Sequence, residues 1–368
     1  MSNACVESTA HPDRASSGKS DPPPSRGVVT ATGATRVVIV GGGFAGLYVA
    51  RGLARAPVRV TVIDKHNYHL FRPMLYQAAT GLLSADEIAA PIRGVLRNQD
   101  NVEVLMAEVV GVDVASNRVL IEDGSIPYDQ LVLATGIRYD YFGNQAWAAL
   151  APGLDSVDEA ERIRGKIFAT FETAERLAAS GRAEPGVIRE LLTFVQVGAG
   201  TAGVEMAATI AELVRMTLTK DFRHIEPRSA RILLLEAGPR ILPTYPESLS
   251  NRALAHLRRI GVDVRTAARV EEVDARGVSV NGERIASRTV LWSAGVIASP
   301  AGQWLGAEVD RAGRVKVNPD LSVPNLPNVF AVGDTASLTA CRRNLIGIKS
   351  KARGVLPGVA QVAIQEGE

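Results

Sequence analysis

The strongest constraint on the fold is a run of four β-branched residues that leads directly into a glycine-rich turn. The run predicts a buried parallel strand, and the turn matches G-x-G-x-x-G at Gly41, Gly43 and Gly46, with Phe44 and Ala45 inside it. One glycine permits the tight turn, one lets the backbone approach a pyrophosphate, and one lets the following helix pack closely. Phosphates are favoured at such a helix N-terminus by free N–H groups and the helix dipole.

A second turn of the same kind contains Gly198, Gly200, Thr201 and Gly203, again after an apolar stretch. One such pattern alone is weak, but two of them far apart in one chain indicate a duplicated domain rather than a solenoid. The sequence therefore predicts an α/β protein with two Rossmann-like dinucleotide-binding units. At 368 residues the chain is long enough for two domains.

An acidic residue ends the strand after each turn, at Asp64 and Glu236. Asp64 follows Gly46 by about the 20 residues expected for a carboxylate that binds a ribose hydroxyl, and Lys65 comes directly after it. The alternative is a solvated acid at a strand end. The spacing after a glycine turn favours the ribose interpretation for Asp64.

Three later strands end in small residues, which allow the backbone to pass close to a cofactor. The residues at these ends are Ala134, Thr135, Gly136, Ala294, Gly295, Gly333 and Asp334. A plain strand and turn would explain the strand end at Ala134, Thr135 and Gly136 equally well. Asp334 could cap a helix instead of contacting a cofactor. Elsewhere the pattern predicts a helix at residues 88–96, and antiparallel strands at 102–114 and 118–122.

Composition and charge exclude several classes of protein. The chain is 46% hydrophobic and 22% charged, with a net charge of +2, which gives no electrostatic basis for nucleic-acid binding. No apolar run approaches the ~18–20 residues that span a bilayer. Residues 1–34 are polar and Pro-rich, so we expect a disordered tail. The two cysteines, Cys5 and Cys341, have no partner for a redox pair and fit a reducing compartment. The two histidines at His66 and His69 lack nearby ligands, so no metal site is expected.

Together, the two turns, the Ala-Thr-Gly strand end and the late Gly-Asp resemble flavoprotein reductases with two dinucleotide sites. Over residues 36–368 the chain is most similar to the type II NADH:quinone oxidoreductases. The narrower resemblance depends on residues 67–84, on residues 203–207 and on an A-Q-x-A-x-Q pattern at residues 360–365. Disulfide-linked flavin reductases need a redox-active pair of cysteines close in sequence, and sulfide:quinone reductases need several cysteines. Neither Cys5 nor Cys341 has such a partner in the sequence.

The resemblance implies that residues 35–152 and 305–368 bind FAD and that residues 153–304, inserted between them, bind NADH. It adds Val109 to the FAD contacts. The carboxylate of Glu236 would favour NADH over NADPH by repelling a 2′-phosphate, a preference that Arg240 nearby would soften. Glu205 would assist proton movement near the nicotinamide, although an acid early in a helix is also favoured by the helix dipole alone.

The A-Q-x-A-x-Q resemblance implies that the neutral amides of Gln361 and Gln365 hydrogen-bond a quinone. These residues are four apart and therefore share a helix face. A solvated helix face is the alternative. The chain departs from the family in two ways. Arg72 replaces an expected Gln, and the chain ends at Glu368 without the C-terminal segment that docks on the membrane. We expect a cytoplasmic protein, peripheral on the inner face of the cell membrane, with membrane contact and a homodimer left open. Two alternatives are an NADH-dependent reductase of a ferredoxin- or rubredoxin-like protein and a non-turnover NADH sensor.

Overall fold

The computed structural model describes residues 33–184, 186–338 and 360–367. Nearly all of the predicted tail lies outside these ranges. In chain order the strands are β1 (Thr35–Val40), β2 (Val58–Asp64), β3 (Tyr68–Leu70), β4 (Ala89–Pro91), β5 (Val102–Met106), β6 (Val109–Asp113), β7 (Arg118–Ile121), β8 (Gly124–Pro127), β9 (Gln130–Leu133), β10 (Ile137–Tyr139), β11 (Thr193–Val197), β12 (Arg231–Leu235), β13 (Val262–Arg265), β14 (Val270–Asp274), β15 (Gly277–Val280), β16 (Glu283–Ala286), β17 (Thr289–Trp292), β18 (Val296–Ala298), β19 (Val315–Lys316), β20 (Ser322–Val323), β21 (Leu326–Ala331) and β22 (Ala336–Ser337).

The helices of the described residues are α1 (Phe44–Gly52), α2 (Leu75–Ala79), α3 (Ile92–Val95), α4 (Trp147–Leu150), α5 (Val157–Ser180), α6 (Val187–Leu191), α7 (Thr201–Glu212), α8 (Glu247–Arg259), α9 (Ala301–Leu305) and α10 (Ala360–Gly367). In the described part of the chain, none of these helices combines the length and apolar character that a bilayer crossing requires.

The first unit is built on a six-stranded sheet in the order β20-β21-β9-β1-β2-β5. All neighbours pair in parallel except β20 with β21. Its central strand is apolar on both faces: Val38 and Val40 pack into one core cluster, and Val37 and Ile39 pack into another with α1. A parallel strand buried on both faces reads as a continuous apolar run, which is the pattern found in the sequence.

The second unit is built on a four-stranded parallel sheet in the order β13-β12-β11-β17. Two short strands, β10 and β18, pair antiparallel where the chain passes between the two units. Helix α5 leads into the second unit. Ser156 caps its first turn by accepting a hydrogen bond from the Glu159 N–H at 3.2 Å, and Gly181 ends it at φ +62°. The mixed α/β architecture with two parallel sheets confirms the predicted fold class.

Two local predictions were wrong. Residues 102–114 are two strands in different sheets: β5 completes the edge of the main sheet, and β6 begins the separate sheet β6-β7-β8. Residues 88–96 contain β4, which pairs with β3, before the single turn of α3. The pairing of β4 depends on residues about 20 positions earlier, so local periodicity could not reveal it.

Candidate functional site

The first glycine turn is fixed by close backbone approaches. Gly41 has φ +106°, and a Cβ there would lie 2.2 Å from the Ala134 carbonyl oxygen. A Cβ on Gly46 would lie 1.9 Å from the Gly41 carbonyl oxygen. At Gly43, which caps α1, a Cβ would meet no protein atom within 4 Å. The first and third glycines are therefore required by the fold, whereas the space at the second is open to a ligand.

The second turn repeats this arrangement glycine by glycine. Gly198 has φ +92°, and a Cβ there would lie 2.6 Å from the Ala294 backbone nitrogen. A Cβ on Gly203 would lie 1.9 Å from the Gly198 carbonyl oxygen, and a Cβ on Gly200 would meet nothing within 4 Å. Each turn thus presents an open cradle at a helix N-terminus, as a bound pyrophosphate requires.

The two strand-end acids occupy equivalent positions. Asp64 accepts hydrogen bonds from the N–H of Gly42 at 2.6 Å and of His66 at 2.7 Å. Glu236 accepts in the same way from the Ala199 N–H and from the N–H two residues after itself, both at 2.8 Å. A carboxylate has about four acceptor positions, so each acid keeps capacity for ribose hydroxyls while anchoring its turn.

The aromatic loop after Asp64 packs on the start of α1. The Phe44 ring lies edge-on to His69, with centroids 5.0 Å apart, and to Phe71 at 5.6 Å. Nδ1 of His69 lies 3.0 Å from the Gly42 carbonyl oxygen. This histidine therefore supports the turn. Lys65, which directly follows Asp64 in the sequence, is exposed. Within residues 33–184, 186–338 and 360–367, no group of three His, Cys, Asp or Glu residues is arranged to hold a metal.

Hydroxyl groups join three chain segments near the carboxyl ends of β9 and β21. Thr135 contacts the hydroxyl of Ser299 and lies 3.3 Å from that of Thr335, which also accepts from the Gly136 N–H at 2.8 Å. Sequence reasoning missed Ser299 and Thr335. Thr335 directly follows the Gly-Asp strand end and could have been found from it, whereas Ser299 carries no local signal.

The late Gly-Asp turn lies between α1 and α10. Gly333 has φ +64°, and a Cβ there would lie 3.0 Å from the Ala45 Cβ and 3.4 Å from the Ala363 Cβ. Its N–H donates to the Glu366 carboxylate at 2.5 Å. Burial raises the pKa of the Glu366 carboxyl to about 7, and the neighbouring Asp334 charge acts in the same direction. Glu366 was not among the predicted site residues.

Asp334 is a largely buried carboxyl with two cations near it. Burial raises its pKa, while the positive charges of Arg72 and Arg314 act in the opposite direction. Arg72 also forms an ion pair with Asp155, at the entrance to the second unit. The charge of Arg72 therefore acts on Asp334, while its ion pair holds it at Asp155.

The remaining predicted residues fall into different surroundings. Glu205 is partly buried on α7, and burial raises its pKa. Thr201 is the exposed first residue of α7, and Val109 starts β6, partly buried against the first unit. Gly295 has φ +65°, and a Cβ there would lie 2.7 Å from the Asp140 carbonyl oxygen, so it shapes the passage between units.

Helix α10 carries the predicted acceptor residues. Ala363 and Glu366 face Gly333, and at about 100° per residue Gln365 lies on the opposite side of the helix. Gln365 is partly buried, whereas the side chain of Gln361 lies outside the described residues. The helix thus has one face packed on the first unit and another bearing the amide of Gln365.

The order of the strands indicates how an extended ligand can lie along the first site. Asp64 ends β2, the Gly41 turn ends β1, Thr135 follows β9, and Asp334 follows β21, and these strands are consecutive neighbours. Parallel strands present their carboxyl ends at one edge, where ligands of such sheets bind. An extended ligand can therefore lie with a ribose at Asp64, phosphates at Gly43 and its other end near Asp334.

The family model for pyridine nucleotide-disulphide oxidoreductases matches residues 35–367. The chain is 45% identical over 341 residues to the type II NADH:quinone oxidoreductase Ndh of Mycobacterium tuberculosis, covering 89% of this chain and 71% of that protein. It is 28% identical to the type II NADH:quinone oxidoreductase of Staphylococcus aureus, covering 80% of that protein.

Among solved structures, NDH2 from Plasmodium falciparum in complex with NADH matches with a TM-score of 0.75 at 22% identity. The match covers 82% of this chain and 64% of that one, so the chain spans somewhat less than two thirds of the solved protein. This likeness shows the fold.

Proposed function

Because the chain belongs to the type II NADH:quinone oxidoreductases, we propose that it oxidises NADH through an FAD held on the first unit and reduces a quinone beside α10. The main support for this proposal is the pair of matched glycine turns, each with open space beside its middle glycine. FAD, when bound, supplies the redox chemistry by taking a hydride from NADH and giving two electrons to the acceptor.

On this proposal the chain's own groups bind and orient the two dinucleotides. The amides around Gly43 and Gly200 hold the pyrophosphates, and Asp64 and Glu236 hold the adenosine riboses. Ala134, Thr135 and Gly136 follow β9, and their backbone borders the cofactor together with Asp334.

The choice of NADH over NADPH is supported by the surroundings of Glu236. A carboxylate there repels a 2′-phosphate. The guanidinium of Arg240 donates to the backbone carbonyls of Leu242 (3.3 Å), Pro243 (2.6 Å) and Tyr245 (2.9 Å). Because these contacts hold Arg240 against its own loop, it does not soften the preference as strongly as the sequence suggested.

Glu205 and the amides of α10 are proposed to serve the two half-reactions. Burial raises the pKa of Glu205, which favours the protonated form of this carboxyl within the second unit. Gln361 and Gln365 are proposed to donate hydrogen bonds to the quinone oxygens. Peripheral attachment to the inner face of the cell membrane and a homodimer complete the proposal.

Anaerobic NADH is expected to bleach the flavin absorbance of the full FAD-loaded chain, and a soluble quinone is expected to restore it. Stopped-flow absorbance measures both steps. A reduced flavin reoxidised only by a ferredoxin or rubredoxin would replace the quinone assignment. A reduced complex that persists with every acceptor would indicate an NADH sensor instead.

The double variant Gln361→Ala/Gln365→Ala is expected to raise the quinone KM by roughly tenfold or more and to leave the NADH KM unchanged. Each lost hydrogen bond is worth about 1 kcal/mol, and 1.4 kcal/mol is a factor of ten. Steady-state kinetics with both substrates varied measures the effect. The exposed Gln303 on α9 provides a control, Gln303→Ala, that should change neither constant. Equal increases in both KM values in the double variant would contradict the acceptor site.

A further inference from the structure

The proposed function leaves Arg72 without a role, although it is the cation whose charge acts most strongly on Asp334. Arg72 follows the aromatic loop that packs on α1, and its ion pair with Asp155 links this loop to the segment that enters α5. The two side chains are 35% and 30% exposed, so the pair is neither fully solvated nor fully buried.

The position of Arg72 along the ligand edge follows from its contacts and from the order of the strands. Asp64, at the end of β2, marks the ribose end, and Asp334, at the end of β21, lies three strands away. Asp155, the partner of Arg72, directly follows Leu154, whose carbonyl oxygen accepts a hydrogen bond from the Tyr139 hydroxyl at 3.2 Å. Tyr139 ends the strand β10 between the two units, and the charge of Arg72 also acts on Asp334. This is the end at which the two dinucleotides have to meet.

We propose that the positive charge of Arg72, held in place by Asp155, raises the reduction potential of the bound flavin. The inference rests on the proposed function, because it requires FAD on the first unit. Two-electron reduction adds two electrons from NADH and, in the anionic product, one proton, so the cofactor gains one negative charge. A fixed cation at this end favours the product, and Asp155 partly offsets that cation.

The test compares substitutions of opposite charge sign. Arg72→Gln is expected to shift the reduction equilibrium about tenfold towards oxidised FAD, the size expected for one charge roughly 12 Å away at an effective dielectric constant of ~20. For a two-electron couple this corresponds to about 30 mV. Asp155→Asn is expected to shift the equilibrium the other way, and Arg72→Lys, which keeps the charge, should stay close to wild type.

Spectroelectrochemical titration of the FAD-loaded full chain measures the potential, and fluorescence titration measures FAD affinity separately. Arg284→Gln is the matched control, because Arg284 is 40% exposed and pairs with Asp274 on the sheet β14-β15-β16. Shifts of the same sign in the Arg72→Gln and Asp155→Asn variants would show loosened structure and overturn the proposal. So would an unchanged potential in Arg72→Gln. A wild-type chain that takes up no FAD would instead overturn the proposed function.

Discussion

Gly43→Ala is expected to leave the apo-protein within about 1 kcal/mol of wild type and to weaken FAD binding on the order of 100-fold. The backbone at Gly43 has φ −72°, which any residue adopts, and an added Cβ meets no protein atom within 4 Å. The methyl group therefore costs the empty protein little. It occupies the space in which the backbone has to approach the pyrophosphate.

Gly46→Ala provides the contrast, since its Cβ would lie 1.9 Å from the Gly41 carbonyl oxygen. Alanine usually stabilises a helix interior by about 1 kcal/mol relative to glycine, but here overpacking of about 3 kcal/mol or more should prevail. Thermal unfolding of both apo-variants and fluorescence titration with FAD separate the two effects. A Gly43→Ala protein as unstable as Gly46→Ala would show that the open space does not belong to a ligand.

The second turn supplies a matched control for the first. Gly200→Ala should retain wild-type FAD affinity and slow flavin reduction at low NADH concentration, because the added methyl group occupies only the open space of the second glycine turn. If this variant lost FAD as readily as Gly43→Ala, the assignment of one dinucleotide to each unit would be wrong.

The sequence could predict the turns because their requirements are local. Gly41 and Gly46 approach each other closely through the backbone, only five residues apart. Asp64, which accepts a hydrogen bond from this turn, follows at a regular spacing. The same holds for Gly198 and Gly203. The fold class and the relationship to flavoproteins follow from these short patterns and were confirmed.

Contacts between distant segments could not be predicted in this way. The break between β5 and β6 contains neither glycine nor proline, so residues 102–114 gave no sign that they divide between two sheets. The ion pair of Arg72 with Asp155 and the contact of Ser299 with Thr135 join segments that only the assembled sheets bring together. Sequence identified Arg72 as unusual, but its partner and its position became visible only in the fold.

Glu366→Gln is expected to make the apo-protein more stable than wild type at pH 8 and about equally stable at pH 5. The Glu366 side chain is only 9% exposed, and burial raises its pKa from the ordinary 4.5 to about 7. Asp334 raises that pKa further, while Arg314 and the Gly333 N–H act against the increase. Between these pH values the folded state binds more protons than the unfolded state, so the free energy of unfolding falls as the pH rises.

In the wild type, the free energy of unfolding begins to fall as the pH rises above the pKa of Glu366 in the unfolded state, and the fall is complete above pH 7. It amounts to at most about 3 kcal/mol for a pKa shift of this size. Glutamine keeps a carbonyl oxygen that can accept from the Gly333 N–H, so the substitution removes the titration and preserves the contact. Thermal unfolding from pH 5 to pH 8 measures the difference, which should reach a few degrees. Glu308→Gln, which removes a carboxyl that is 76% exposed and paired with Lys316, should not reproduce the gain in stability at pH 8. Parallel curves for wild type and Glu366→Gln would mean that Glu366 stays ionised in the folded protein and that α10 tolerates a second negative charge beside Asp334.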